Sequence, residues 1–268
     1  MHPIERLRYV ARASGADLSM LAQETAVALA DVVRVEPAGL VPACRRLIER
    51  HLTAGPVWWL ASRVLTASDP ALEAWAAAAV IDNDPTPDLL ARAIPDDGTV
   101  TIIGWPDIAA SVLRRRGDVE VLVSDAGGDG ASLARRLVDA GTEAAVVPDA
   151  GIAAAVVVSN LVIVEATAAG PTGLLAATGS HAAAAVAAHA GIPVWGVAGV
   201  GRVLPERLWD ALLSRLDQAE DEPWDRVVEM IPTGLITELI GPSGRLPASE
   251  GLAQTSCPAA PELLRPAG

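Results

Sequence analysis

Over residues 1–95, apolar side chains recur at every third or fourth position. Leu7, Val10 and Ala11 begin a stripe that Leu18, Leu21, Ala22 and then Val27 to Val33 continue. That spacing predicts helices. Pro37 and Pro42 punctuate a second helix running to about His51, and Pro56 opens a third with Trp58, Trp59 and Leu60 in its first turns. Ser68-Asp69-Pro70 reads as a cap and helix start before Leu72 to Ile81. Asp84-Pro85-Thr86-Pro87-Asp88 breaks the pattern ahead of one more short helix. Strand-like alternation is missing from this half.

From Gly98 the grammar changes. Short β-branched runs predict strands over Thr99 to Gly104, Val119 to Ser124, Glu143 to Val147, Leu161 to Glu165 and Ile192 to Val197. Helical segments separate them: Asp107 to Arg116, Ala131 to Ala140, Gly151 to Val158, Gly179 to Ala190, with Pro205 to Leu216 after the last. Buried strands alternating with helices give an α/β class, a Rossmann-like parallel sheet covered on both faces. A last strand-like piece spans Gly234 to Ile240. The division expected is a helical domain over 1–95, a Rossmann-like domain over 96–241, and a loosely ordered tail over 242–268, where Pro, Gly and Ser accumulate. Ligands in such sheets bind beyond the carboxyl ends of the strands. That rule points to the loops Gly104 to Asp107, Ser124 to Gly130, Pro148 to Gly151, Glu165 to Ser180 and Gly196 to Arg202.

Composition narrows the chemistry. The 268 residues include no Phe, one Tyr (Tyr9) and seven Trp, so Ala, Val and Leu must fill the core. All 20 basic residues are Arg, which rules out a Schiff-base or P-loop lysine. A formal net charge of −13 repels polyanions, so a nucleic acid duplex is not an expected partner. Arg114-Arg115-Arg116 is the densest basic run and reads as the solvated end of a helix. Cys44 and Cys257 lie far apart, which fits a reducing compartment and neither a disulfide framework nor a zinc site. No apolar run is long enough to span a bilayer and no signal peptide is read, so the expected location is the cytoplasm.

At the strand-end loops the sequence resembles the superfamily of translation initiation factor 2B alpha, beta and delta subunits, methylthioribose-1-phosphate isomerase and ribose-1,5-bisphosphate isomerase. Five pieces carry the likeness, in order: Glu143 to Ala150, Leu161 to Gly173, Thr178-Gly179-Ser180, Ala190 to Val197 (AGIPVWGV), and Met230 to Pro247. The resemblance implies an N-terminal helical domain, a homodimer, and a pocket for a phosphorylated sugar or nucleotide. The isomerases carry a Cys after the first strand; Gly104-Trp105-Pro106 stands there instead. Their catalytic Asp falls on Thr167, and the Arg of their phosphate-binding segment is missing at Ser124-Asp125-Ala126-Gly127. Moving a proton between sugar carbons needs a titratable group, which Thr167 is not. An isomerase of the family's kind is therefore disfavoured.

The candidate ligand-binding residues are Trp105, Ser124, Asp125, Thr167, Thr172, Gly173, Gly179 and Ser180. Trp105 offers a stacking face or, alternatively, is simply core. Thr178 to His181 presents amide N–H groups at a helix start, suited to a phosphate or carboxylate; the alternative is an ordinary cap. The Gly-rich stretch Ser124 to Gly130 suits hydroxyls better than bare phosphate, because it holds Asp125 and Asp129. For surviving acid–base chemistry the candidates are Asp125, Glu165 and His181. No metal and no cofactor are expected, and Gly196 to Gly201 does not spell the dinucleotide fingerprint. Three readings stand: an initiation-factor-2B-like protein binding a small ligand, a sugar-phosphate isomerase with relocated groups, and a structural partner subunit whose pocket has closed.

Overall fold

The computed structural model describes residues 17–218 and 222–265. The stripe over Leu7 to Ala11 lies outside these residues. The described chain begins with helices α1 (Leu18–Val35), α2 (Leu40–Arg50), α3 (Gly55–Thr66), α4 (Pro70–Asp82) and α5 (Thr86–Ala93). Local chemistry sets their starts. The Asp17 carboxylate accepts from the Ser19 N–H at 2.7 Å, and Asp69 accepts from Leu72 N–H at 3.0 Å with Pro70 in the first turn. Arg116 ends α5 by donating to the carbonyls of Ala91, Ile94 and Pro95, so it is not the solvated end that its run suggested.

The α/β part follows as β1 (Thr99–Ile103), α6 (Asp107–Leu113), β2 (Glu120–Ser124), α7 (Gly130–Asp139), β3 (Glu143–Val147), α8 (Ile152–Val158) and β4 (Leu161–Glu165). A hairpin of β5 (Ala168–Gly170) and β6 (Gly173–Ala177) leads to α9 (Ser180–Ala190), β7 (Val194–Val197) and α10 (Glu206–Asp217). The chain closes with β8 (Val228–Pro232), β9 (Glu238–Gly241), β10 (Gly244–Pro247) and α11 (Ala248–Ala253). The main sheet runs β10-β9-β7-β4-β1-β2-β3 and is parallel except for β10 against β9. The interior strand β1 sets Thr101 opposite Leu122 on one side and Val162 on the other. The α/β class and the parallel sheet are as the sequence predicts.

Two features differ from expectation. First, β5, β6 and β8 form a separate antiparallel sheet. Strands β5 and β6 are Ala- and Gly-rich, with low intrinsic strand preference, and β6 finds β8 more than fifty positions away, as in Leu174 opposite Ile231. Second, residues 242–265 are not loosely ordered. They supply β10 and α11, and Leu252, Cys257, Ala260 and Leu263 are buried. Pro-rich composition reads as disorder, but here widely spaced apolar side chains each find a slot in the core.

The helical half and the final segment share one cluster. Trp58, Trp59 and Leu29 pack in it with Trp209, Leu175, Cys257 and Leu263. Separate clusters fill the two faces of the main sheet. With no Phe available, indoles supply the bulk, and small residues make room for them. Gly170 is the clearest case: a Cβ there would stand 2.2 Å from Trp209 Cγ. The Trp209 indole N–H donates to Thr172 Oγ1 at 2.7 Å, which fixes the ring across the hairpin. Gly170→Ala should therefore lower unfolding stability by about 3 kcal/mol, the upper range for overpacking, as read by urea denaturation; a loss below about 0.5 kcal/mol would show that the ring yields freely.

Candidate functional site

Helices α6, α7 and α9 all start at the carboxyl edge of the main sheet, with their first amide N–H groups unpaired within the helix. Such groups attract anions. In this chain they are met by its own carboxylates. Glu165, at the end of β4, accepts from Ile108 N–H at 3.1 Å and Ala109 N–H at 2.9 Å, capping α6. Asp125 accepts from Ala131 N–H at 3.0 Å, capping α7. Glu229, on β8 opposite Ala176, accepts from Gly179 N–H at 2.7 Å and His181 N–H at 2.8 Å, capping α9. Gly179 has φ +100, a left-handed turn that glycine adopts without strain.

A buried ion pair sits behind these caps. Arg202 Nη1 donates to Glu165 at 2.8 Å and to the Ala166 carbonyl at 2.7 Å, and the two side chains are 2% and 5% exposed. Such a pair depends on both members, because removing one strands a buried charge. Arg202 and Glu165 border a cavity of about 70 Å³ with Ile103, Trp105, Thr167, Ala177 and Ser180. Small-molecule sites occupy roughly 300–1,000 Å³. That cavity is therefore too small for a sugar phosphate; a second space of about 310 Å³ opens on the other side of Trp105, between Asp107, Arg114 and Arg136. Beside it, burial raises the Asp107 carboxyl to about 6; the charges of Glu165 and Asp17 push the same way, and Arg202 and a hydrogen bond from Leu18 oppose them.

The sequence candidates fall into place as follows. Trp105 borders the small cavity, and the Arg136 guanidinium lies 4.8 Å from the centre of its ring, covering one face. Ser124 is buried with its hydroxyl 3.5 Å from Asp149, and its carbonyl accepts from Gly104 N–H. Thr167 spends its carbonyl on Gly55 N–H at 2.9 Å, joining the sheet to the helical half. Thr172 holds Trp209, and Gly173 lies on the small sheet, where a Cβ would meet the Ile231 carbonyl at 2.2 Å. Gly179 gives its N–H to Glu229, and Ser180 is buried at the start of α9. Asp125, Glu165 and His181 stand at three different helix starts, and no hydrogen bond among the described residues joins their side chains. The thiols of Cys44 and Cys257 are buried and pushed up to about 12 by desolvation, so neither is a ready nucleophile.

Three residues that matter here were not singled out from sequence. Glu229 and Arg202 occupy the caps and the ion pair. Asp84 accepts from Val200 N–H at 2.8 Å, tying the break after α4 to the loop after β7. The one available signal was Arg202 itself, a lone charge inside the apolar run Val197 to Leu204. Glu229 and Asp84 act on partners 48 and 116 positions away, which no local pattern reveals.

The architecture is an α/β fold with a helical N-terminal half and a self-capped sheet edge. It has the fold of translation initiation factor 2B subunits. The "translation initiation factor eIF-2B" of Pyrococcus horikoshii OT3 superposes with a TM-score of 0.77 at 15% identity, covering 93% of this chain and 98% of that one. The eIF2B beta of Chaetomium thermophilum gives 0.68 at 18% identity, over 93% and 88%. A chain of the tetrameric eIF2B-beta2-delta2 complex from C. thermophilum gives 0.72 at 16%, over 94% and 92%. No protein-family model and no curated protein matches the sequence. Among the described residues no helix is long and apolar enough to cross a membrane.

The Asp107 environment sets a pH dependence. A carboxyl raised in the folded state holds its proton where the unfolded chain has released it. Its stabilising contribution is present below about pH 4 and is lost as pH rises through about 6. Asp107→Asn should therefore gain stability relative to the parent between pH 4 and 7, by up to about 3 kcal/mol. Paired urea titrations at the two pH values test this; a constant difference would contradict it.

Proposed function

We propose that the chain is a non-catalytic, initiation-factor-2B-like subunit of the cytoplasm that works by pairing with a second copy of itself. The observation that carries this is an uncovered apolar face at one edge of the main sheet. Strand β3 pairs with β2 alone, leaving its other side unpaired among the described residues. On β3 itself Val146 is 43% exposed, and on α7, which packs against β3, Val138 is 54% exposed. An unpaired edge strand with adjoining exposed valines is a feature that soluble proteins cover. The tetrameric assembly of the C. thermophilum beta and delta chains, which share the fold, supports the same direction.

The sugar-phosphate reading has less support. An incoming phosphate at α9 would have to displace Glu229 and then sit beside its charge. Two unit charges 4 Å apart repel by about 4 kcal/mol at an effective dielectric of 20. The isomerase reading has less still, because Asp125, Glu165 and His181 do not meet and each acidic member is already engaged. Sedimentation velocity at micromolar concentration is expected to give a dimer for the parent. Val146→Glu with Val138→Glu, both at exposed positions, should weaken it at least about a hundredfold, roughly 2.8 kcal/mol, with an unchanged circular dichroism spectrum. A monomeric parent, or a dimer indifferent to both charges, would contradict the proposal.

A further inference from the structure

A further cavity lies at the opposite end of the sheet from the β3 edge. It is a cleft of about 560 Å³ beyond the carboxyl ends of β7 and β9. That volume falls within the roughly 300–1,000 Å³ of small-molecule sites, and the cleft opens at the carboxyl edge of the sheet, to one side of the switch point between β1 and β4. Three parts of the chain build it. The loop Ala198 to Gly201 forms one wall, the β9–β10 turn with Leu246 a second, and the segment Ala253 to Ser256 a third, with Val80 of α4 at the border. The segment expected to be a loose tail thus supplies much of the site.

Its chemistry is specific in one respect: no ionisable side chain lines it. In a chain of net charge −13, a neutral wall offers a phosphate nothing to pair with, and an ammonium no carboxylate. What it offers is an apolar side and a hydrogen-bonding side. Val80, Val200, Leu239 and Leu246 provide the first. Ser243 and Gln254 provide the second, and their side chains are not hydrogen-bonded within the described residues. Ser256 already accepts from the Trp59 indole N–H at 3.2 Å and keeps its own proton to donate. Thr255 is consumed internally, donating to the Val203 carbonyl at 2.6 Å and accepting from Cys257 N–H at 3.1 Å, and so fixes this wall in place.

The geometry points to a binding site for an uncharged sugar ring, free or carried by a nucleoside. Such a ring has a C–H face and a hydroxyl rim that match the two sides of the cleft. The site shares no lining residue with the cavities around Trp105, and its occupancy does not depend on the pairing proposed above.

The test is titration calorimetry of the full chain with adenosine, guanosine, cytidine, uridine, ribose and glucose, alongside the 5′-phosphates of the four nucleosides. At least one uncharged probe is expected to bind, and the phosphate of any nucleoside that binds should do so at least about tenfold more weakly, about 1.4 kcal/mol. Ser243→Trp, in an exposed turn, should block the cleft and abolish binding while leaving the unfolding midpoint unchanged. Gln254→Ala should weaken binding without changing the fold. Binding by none of the uncharged probes, equal or tighter binding of the phosphates, or full binding by both variants would overturn the assignment.

Discussion

Amide N–H groups at helix starts, directed at one edge of a parallel sheet, are the physical asset of this architecture. Their fate decides what the edge can do. In this chain Glu165, Asp125 and Glu229 take them, one carboxylate for each of α6, α7 and α9. Each cap satisfies amides that would otherwise need water or a ligand, with about 0.5–2 kcal/mol gained at each. The same bonds place negative charge where an anionic substrate would sit. The bonds that stabilise the helix starts thus also oppose an anion there.

The caps connect to the rest of the fold through Arg202. Its guanidinium joins Glu165 to the Ala166 carbonyl at the end of β4, and Asp84 holds the neighbouring Val200 amide from the helical half. Gly55 N–H on Thr167 adds a further tie between the halves. The helical half and the sheet edge are therefore locked by polar contacts above a shared indole-rich core. Little room remains between them for closure over a substrate. The β3 edge and the β7–β9 cleft lie at the two ends of the sheet.

Much of the fold was legible because periodicity is local. Val119 to Ser124 and Leu161 to Glu165 read as buried strands, and Ser68-Asp69-Pro70 read as a cap. The small sheet was not legible, since Gly173 to Ala177 has neither branching nor alternation and is made a strand by its distant partner β8. The tail misled for the opposite reason: its composition signals freedom while Ala248, Leu252, Cys257, Ala260 and Leu263 are buried. At the sheet edge, the positions of Glu165, Asp125 and the Gly179 turn were readable from strand ends. Their occupation was not, because Glu229 and Arg202 come from segments that only the tertiary fold brings near. An amide cradle and a capped helix look alike in one dimension.

The most direct measurement is phosphate binding by the parent and by Glu229→Ala, followed as a shift in unfolding midpoint with inorganic phosphate. Removing Glu229 frees the Gly179 and His181 amides, so the variant should start about 1–2 kcal/mol less stable and regain stability as phosphate is added, while the parent stays indifferent. Phosphate stabilising the parent as strongly as the variant would contradict the account, as would a variant that neither loses stability nor responds.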